Sequence, residues 1–235
     1  MILKKNKEGR LIVRTRYQLE RLINHTIERE GLECDLNFID TSKITSMSYL
    51  FYESKFTGNI SQWNTENVES MACMFSGSDF SGDISKWNTS NVRDMSYMFY
   101  RNSRFSGDLS KWDTSNVIDM SFMFRQSRFS GDISEWNTRN VIYMVDMFYE
   151  SKFTGDLSKW NTGKVEDMSW LFARTDFSGD ISKWDVSNVR NMSYMFYRSN
   201  FNGDISRWDI GNVRDMSFMF YCSPLEKNPP KWYKG

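Results

Sequence analysis

Residues 80–99 read FSGDISKWNTSNVRDMSYMF, and variants of this unit fill the chain from about residue 35 to residue 220. Trp63, Trp87, Trp112, Trp136, Trp160, Trp184 and Trp208 follow one another at intervals of 24, 25, 24, 24, 24 and 24 residues. The one extra residue falls in YRNSR, between Phe99 and Phe105. A second column runs Phe51, Phe75, Phe99, Phe124, Phe148, Phe172, Phe196 and Phe220, and a third runs from Phe56 to Phe201. Met47, Met71, Met95, Met120, Met144, Met168, Met192 and Met216 make a fourth. Columns held in phase at one period are the signature of a repeat architecture.

Each unit divides into two halves. In NTSNVRDMSYMF, Val92, Met95, Met98 and Phe99 lie at i, i+3, i+6 and i+7, which predicts one apolar face of a short helix, with Asn88, Thr89 and Ser90 able to cap its start. GDISKW suits a brief strand with Ile84 inward and Asp83 and Ser85 outward. Neither half buries its apolar side alone, so the units must stack. The expected fold is an α/β repeat solenoid with one short strand and one short helix per coil. About eight coils at about 4.8 Å each give a body roughly 40 Å long.

The register extends to both ends. Leu36 takes the Ile84 position and Ile39 the tryptophan position of an atypical first coil that begins near Leu32. Before it, Thr15 and Gln18 resemble a capping box, and Leu19, Leu22, Ile23, Thr26 and Ile27 form an amphipathic stripe closed by Gly31. The reading is a cap over 1–31 with a helix over 15–30, a repeat body over 32–223 and a C-terminal cap over 224–235, all in one domain. Pro224, Pro229 and Pro230 fall in that last segment, where they blunt an exposed edge.

The totals exclude several functions. Thirty basic residues balance thirty acidic ones over 235 residues, which argues against a polyanion binder and hence against nucleic acid. Cys34, Cys73 and Cys222 are far apart and odd in number, so they predict free thiols, not a disulfide framework or zinc site. No run of about 18 apolar residues predicts membrane insertion, and the N-terminal stretch MILKKNKEGRLIVRTRYQ has no apolar core of an export signal. The chain as it stands therefore reads as cytoplasmic.

The unit resembles the bacterial surface-protein repeat of mycoplasma lipoproteins and of BspA-type leucine-rich-repeat surface antigens. Trp, Asn/Asp-Thr-Ser, Asn-Val and Met-Ser-Tyr-Met-Phe recur in order over about residues 35–220. That resemblance implies a leucine-rich-repeat-like solenoid, a role in adhesion or partner binding, and the bacterial cell surface. It brings no catalytic residues, and the chain shows no lipobox cysteine.

Candidate sites follow from the columns. His25 is the single histidine, on the expected cap helix, and no GxGxxG, GxxxxGK[ST] or HExxH motif occurs, so no catalytic residue, cofactor or metal is expected. Asp83, Asp108, Asp132, Asp156, Asp180 and Asp204, with Asn59 and Asp35 in register, form an acidic ladder. Stacked like charges need compensation, by calcium or by backbone N–H groups, serine hydroxyls and cations such as Lys86, Lys111, Lys159, Lys183 and Arg207. Tyr49, Tyr97, Phe122, Trp170, Tyr194 and Phe218 form an aromatic column, read either as an exposed ribbon for a partner or as stacking between coils. Tyr52, Tyr100, Tyr149, Tyr197 and Tyr221 repeat likewise. Ile118, Ile142, Tyr143 and Val145 replace charged or small residues, read either as an interface patch or as drift in a tolerant array. These features predict a non-catalytic scaffold that binds a protein or glycan, with a structural, self-associating homo-oligomer as the alternative.

Overall fold

The structure is a computed structural model and describes residues 3–234. Met1 and Ile2 of the expected N-terminal cap, and Gly235 of the C-terminal one, lie outside the described residues.

A buried backbone group without a partner in its own coil must find one in the next. In the Met-Ser-Tyr-Met-Phe half the N–H groups of Met47, Tyr49, Phe51 and Glu53 donate to the carbonyls of Ser70, Ala72, Met74 and Ser76 at 2.8–3.0 Å. The intervening Leu50, Tyr52 and Ser54 turn back onto Met47, Tyr49 and Phe51 at 3.2–3.3 Å. The same alternation joins every later pair of repeats, down to Met192, Tyr194, Phe196 and Arg198 on Asp215, Ser217, Met219 and Tyr221. At the head of each rung parallel bridges run from Ser46–Ser70 through Asp94–Asp119 to Asn191–Asp215.

The helix expected over NTSNVRDMSYMF does not form. Tyr97 and Arg101 hold φ 58 and 53, as do their equivalents in the other repeats, so a left-handed residue recurs every fourth position. Every second N–H is committed to the neighbouring repeat and cannot reach the i−4 carbonyl. Each left-handed non-glycine residue costs about 1–2 kcal/mol, offset by the bonds between repeats and by the burial they permit. Val92, Met95, Met98 and Phe99 are nevertheless all buried. A ribbon of i→i−3 turns brings third neighbours to one side much as a helix does.

The strand expected over GDISKW is also replaced by turns. The Asp83 carboxylate accepts the Ser85 N–H at 2.9 Å, and the Trp87 N–H returns to the Ile84 carbonyl at 3.2 Å. The one bridge of this half joins Asp35 and Asn59, among the described residues. Gly82 is needed because a Cβ there would stand 2.9 Å from the Phe80 ring, which folds back over its own turn.

Flat rings, not leucines, fill the core. Phe75 stacks on Phe51 and Phe99 at 5.7 and 5.8 Å, and also on Phe80 at 4.3 Å. Each tryptophan of the column from Trp63 to Trp208 is buried and donates its indole N–H to a carbonyl of the preceding repeat, Trp136 to Leu109 at 3.0 Å. Thr65 and Asn91 make similar side-chain bonds to Asn88 and Glu66. These links explain why whole side chains repeat, beyond the apolar pattern. The extra residue is absorbed by buried Asn102, whose amide donates to the Phe80 carbonyl at 3.1 Å while its oxygen accepts the Phe105 N–H at 2.8 Å.

The two ends are closed differently. Near the N-terminus, β1 (Leu11–Ile12) pairs in parallel with β2 (Ile39–Asp40). Between them α1 (Arg16–Glu30) starts on Thr15, whose hydroxyl accepts the Gln18 N–H at 3.2 Å, and ends at Gly31 with φ 87. It buries Leu19 and Ile23, and Arg16 caps the Ser48 carbonyl at 2.8 Å. At the other end α2 (Pro224–Lys227) buries Leu225, and Trp232 continues the indole column onto Ile205 at 2.9 Å. Among the described residues no helix is long and apolar enough to cross a membrane.

Candidate binding face

Each ribbon has two left-handed residues, and the first of them, the position of Tyr97, lies outside the stacked rings of the core. This position is the aromatic column, and its rings stack between repeats. Tyr97 stacks on Phe122 at 4.2 Å, Trp170 on Tyr194 at 4.0 Å, and Tyr194 on Phe218 at 5.1 Å. Their outer edges stay open: Tyr49 and Phe218 are more than half exposed, and Tyr97, Phe122, Trp170 and Tyr194 are half-buried. Tyr100 and Tyr197 pack edge-on to Tyr97 and Tyr194 at 5.7 and 5.6 Å, widening the strip. Arg101, Arg125 and Arg198 lie over Tyr100, Tyr149 and Tyr197 at 5.1, 4.0 and 5.3 Å.

The column is interrupted twice. Asp146 replaces the ring in one repeat and is nearly fully buried, 2.5 Å from the Arg125 guanidinium. Burial pushes its carboxyl up to about 6, against the downward pull of Arg125. Cys73 replaces the ring in the second repeat and is buried too. Burial raises its thiol above the usual range, and Tyr49 is raised chiefly by its contact with Cys73. Ser76 and Gly77 stand beside Cys73 where neighbouring repeats carry large side chains, and a cleft of about 650 Å³ opens there. The sequence reading passed over this cleft. Its signal was Cys73 with Ser76-Gly77, small residues in columns filled mostly by rings and by long polar or charged side chains.

Ile118, Ile142, Tyr143 and Val145 come together beside this strip. The Ile142 N–H donates to the Ile118 carbonyl at 2.8 Å, and the Val145 carbonyl accepts the Phe122 N–H at 2.8 Å. Tyr143 is 44% exposed, and the three aliphatic residues are half-buried.

The acidic ladder lies on the GDISKW turns. Asp83, Asp108, Asp132, Asp156, Asp180 and Asp204 each accept the N–H of the serine two residues on, at 2.8–2.9 Å. Those backbone bonds come first among the causes that hold the carboxyls below their ordinary range. Each carboxylate is thus compensated within its own turn. Among the described residues no group of three or more His, Cys, Asp or Glu side chains is placed to share a metal ion. His25 is exposed on α1, Cys34 is a buried free thiol, and Cys222 is an exposed one.

A family model described as a Mycoplasma protein of unknown function, DUF285, matches three overlapping stretches, 19–131, 104–199 and 125–232. No curated protein and no solved structure gives a significant match.

Proposed function

The chain belongs to the mycoplasma family of unknown function DUF285, and from that premise we propose that it is a non-catalytic binding module. It presents the aromatic strip to a protein or glycan partner. In this reading the stack is a solenoid of about eight coils, related in plan to the leucine-rich-repeat surface antigens of BspA type and used in adhesion. The observation that supports it most is the placement of Trp170, Tyr194 and Phe218, which stack on one another outside the core with their edges open. Large flat side chains with few rotatable bonds lose little entropy on binding, and a rigid array offers them already aligned.

The half-buried cluster of Ile118, Ile142 and Val145 with exposed Tyr143 supports a second reading, self-association through that patch. One experiment separates the two. Partner capture from host-organism and target-cell extracts is run with the native chain, with Trp170→Ser/Tyr194→Ser/Phe218→Ser, and with Ile142→Ser/Tyr143→Ser/Val145→Ser, at matched thermal stability. A partner lost only with the aromatic variant is the expected result. A native oligomer that the second variant dissociates, with no other partner captured, would replace the first reading by self-association.

A further inference from the structure

In the second repeat Cys73, Ser76 and Gly77 stand where the repeats on either side carry Tyr49, Tyr52 and Glu53 and then Tyr97, Tyr100 and Arg101. The lost volume is the cleft of about 650 Å³, lined by Tyr49 and Tyr52 from one repeat and Tyr97 and Tyr100 from another, with Cys73 and Asp94 between. Where rings occupy successive repeats of this column they touch, at 4.2 Å for Tyr97 and Phe122. Tyr49 and Tyr97 are two repeats apart, about 9–10 Å at the usual strand spacing, which leaves room for one flat group against both faces.

The cleft is electron-rich. Four tyrosine rings line it, and Asp94 is the only charged residue among its lining residues. Asp94 Oδ1 accepts the Ser96 N–H and hydroxyl at 2.9 and 2.7 Å. Its Oδ2 is met by the Ser70 hydroxyl at 3.4 Å. Among the described residues Asp94 forms no ion pair. Neither Arg93 nor Arg101 lines the cleft. Arg101 reaches Gln126 of the following repeat at 2.8 Å, and Arg93 lines a separate groove with Lys43 and Glu69.

The other interruption is a template for the occupant. Around Asp146 the Arg125 guanidinium lies 4.0 Å from the Tyr149 ring centre and 5.9 Å from that of Phe122, with its Nη1 2.5 Å from the carboxylate. There the fold supplies aromatic faces, a carboxylate and a cation. At Cys73 it supplies the first two alone. A planar guanidinium stacks on aromatic faces and pairs with a carboxylate edge-on, a combination an ammonium matches less well.

We propose that the Cys73 cleft receives an arginine side chain of a partner protein, its guanidinium held between Tyr49 and Tyr97 and paired with Asp94 Oδ2, which otherwise meets only the long Ser70 contact. This assignment rests on the binding-module reading and names its chemistry. The cleft gives one anchoring contact, so an isolated peptide binds with a dissociation constant on the order of 1 mM.

The test is a titration of the full chain with acetyl-Gly-Arg-Gly-amide, followed on the tyrosine ring resonances by NMR. Acetyl-Gly-Lys-Gly-amide, acetyl-Gly-Phe-Gly-amide and tetramethylammonium are titrated in parallel. The expected result is saturable shifts of Tyr49 and Tyr97 with the arginine peptide, tightest of the four ligands. Asp94→Asn should weaken it about tenfold, and Cys73→Tyr, which fills the cleft, should abolish it. Both changes copy residues that the same columns already hold, Asn191 and Tyr97, and Cys73 shares the left-handed φ of Tyr97, 57 against 58. No shift with the arginine peptide, undiminished binding by Cys73→Tyr, or tighter binding of any other ligand would overturn the assignment. A partner captured equally by the native chain and by Cys73→Tyr, with no peptide binding, would sink this inference and leave the binding-module reading standing.

Discussion

Phe122 and Phe124 stand two residues apart on one ribbon. Phe124 is fully buried, stacked between Phe99 and Phe148 at 5.8 and 5.9 Å. Phe122 lies half-buried outside, stacked on Tyr97 at 4.2 Å. The column of Phe124 runs without a break from Phe51 to Phe220, whereas that of Phe122 is broken by Cys73 and Asp146. A core packed at crystal-like density accepts only rings that continue the stack. The outer face meets no such demand, so its residues can differ from repeat to repeat, and recognition depends on such differences.

The comparison is broken most severely from the inside. Trp136→Ala removes a buried ring and the indole bond to Leu109, and should cost about 3–5 kcal/mol in chemical unfolding. An unchanged midpoint would mean that the tryptophan column is not core.

Asp146 is the place where the outer face turns inward. Asp146→Ala leaves the Arg125 guanidinium without its carboxylate and should cost about 1–3 kcal/mol. Its titration gives a sharper test. The carboxyl is raised from 3.8 to about 6 in the folded chain, so between those values the folded state binds the proton more tightly than the unfolded one. The stability this group adds is complete in acid and is lost as pH rises through 6. Relative to Asp146→Asn, the native chain should therefore lose about 1–3 kcal/mol of stability from pH 4 to pH 7. A pH-independent difference would contradict the burial argument.

Cys73→Tyr restores the missing ring and should stabilise by about 0.5–1 kcal/mol, read as a raised melting temperature. The acidic ladder should matter least. Its carboxyls are held below the ordinary range, so what they contribute is present above about pH 4 and lost as pH falls through their folded values. Asp83→Ala should therefore lower stability slightly at pH 7 and converge with the native chain in acid, and a variant as stable as the native chain at pH 7 would show the Ser85 bond to be idle.

Much of this arrangement was legible in the residues. The period, the inward phenylalanine, methionine and tryptophan columns and the start of α1 at Thr15 all follow from side-chain chemistry that repeats or caps. The backbone of Met-Ser-Tyr-Met-Phe did not. Apolar residues at i, i+3 and i+7 fit a helix and a turn ribbon equally, and tyrosine or tryptophan at a left-handed position carries none of the signal glycine would. The aromatic column was visible, but its meaning lay in its missing members. Columns are read by what they share, and Cys73 and Asp146 are informative because they differ.

The most direct test of the division between core and face is the paired removal of those two rings. Phe124→Ala and Phe122→Ala are compared by urea unfolding of the full chain. Phe124→Ala should cost about 3–5 kcal/mol and Phe122→Ala less than about 1.5 kcal/mol. Equal costs, or a larger loss at Phe122, would contradict the account, because the outer column would then be as structural as the inner one.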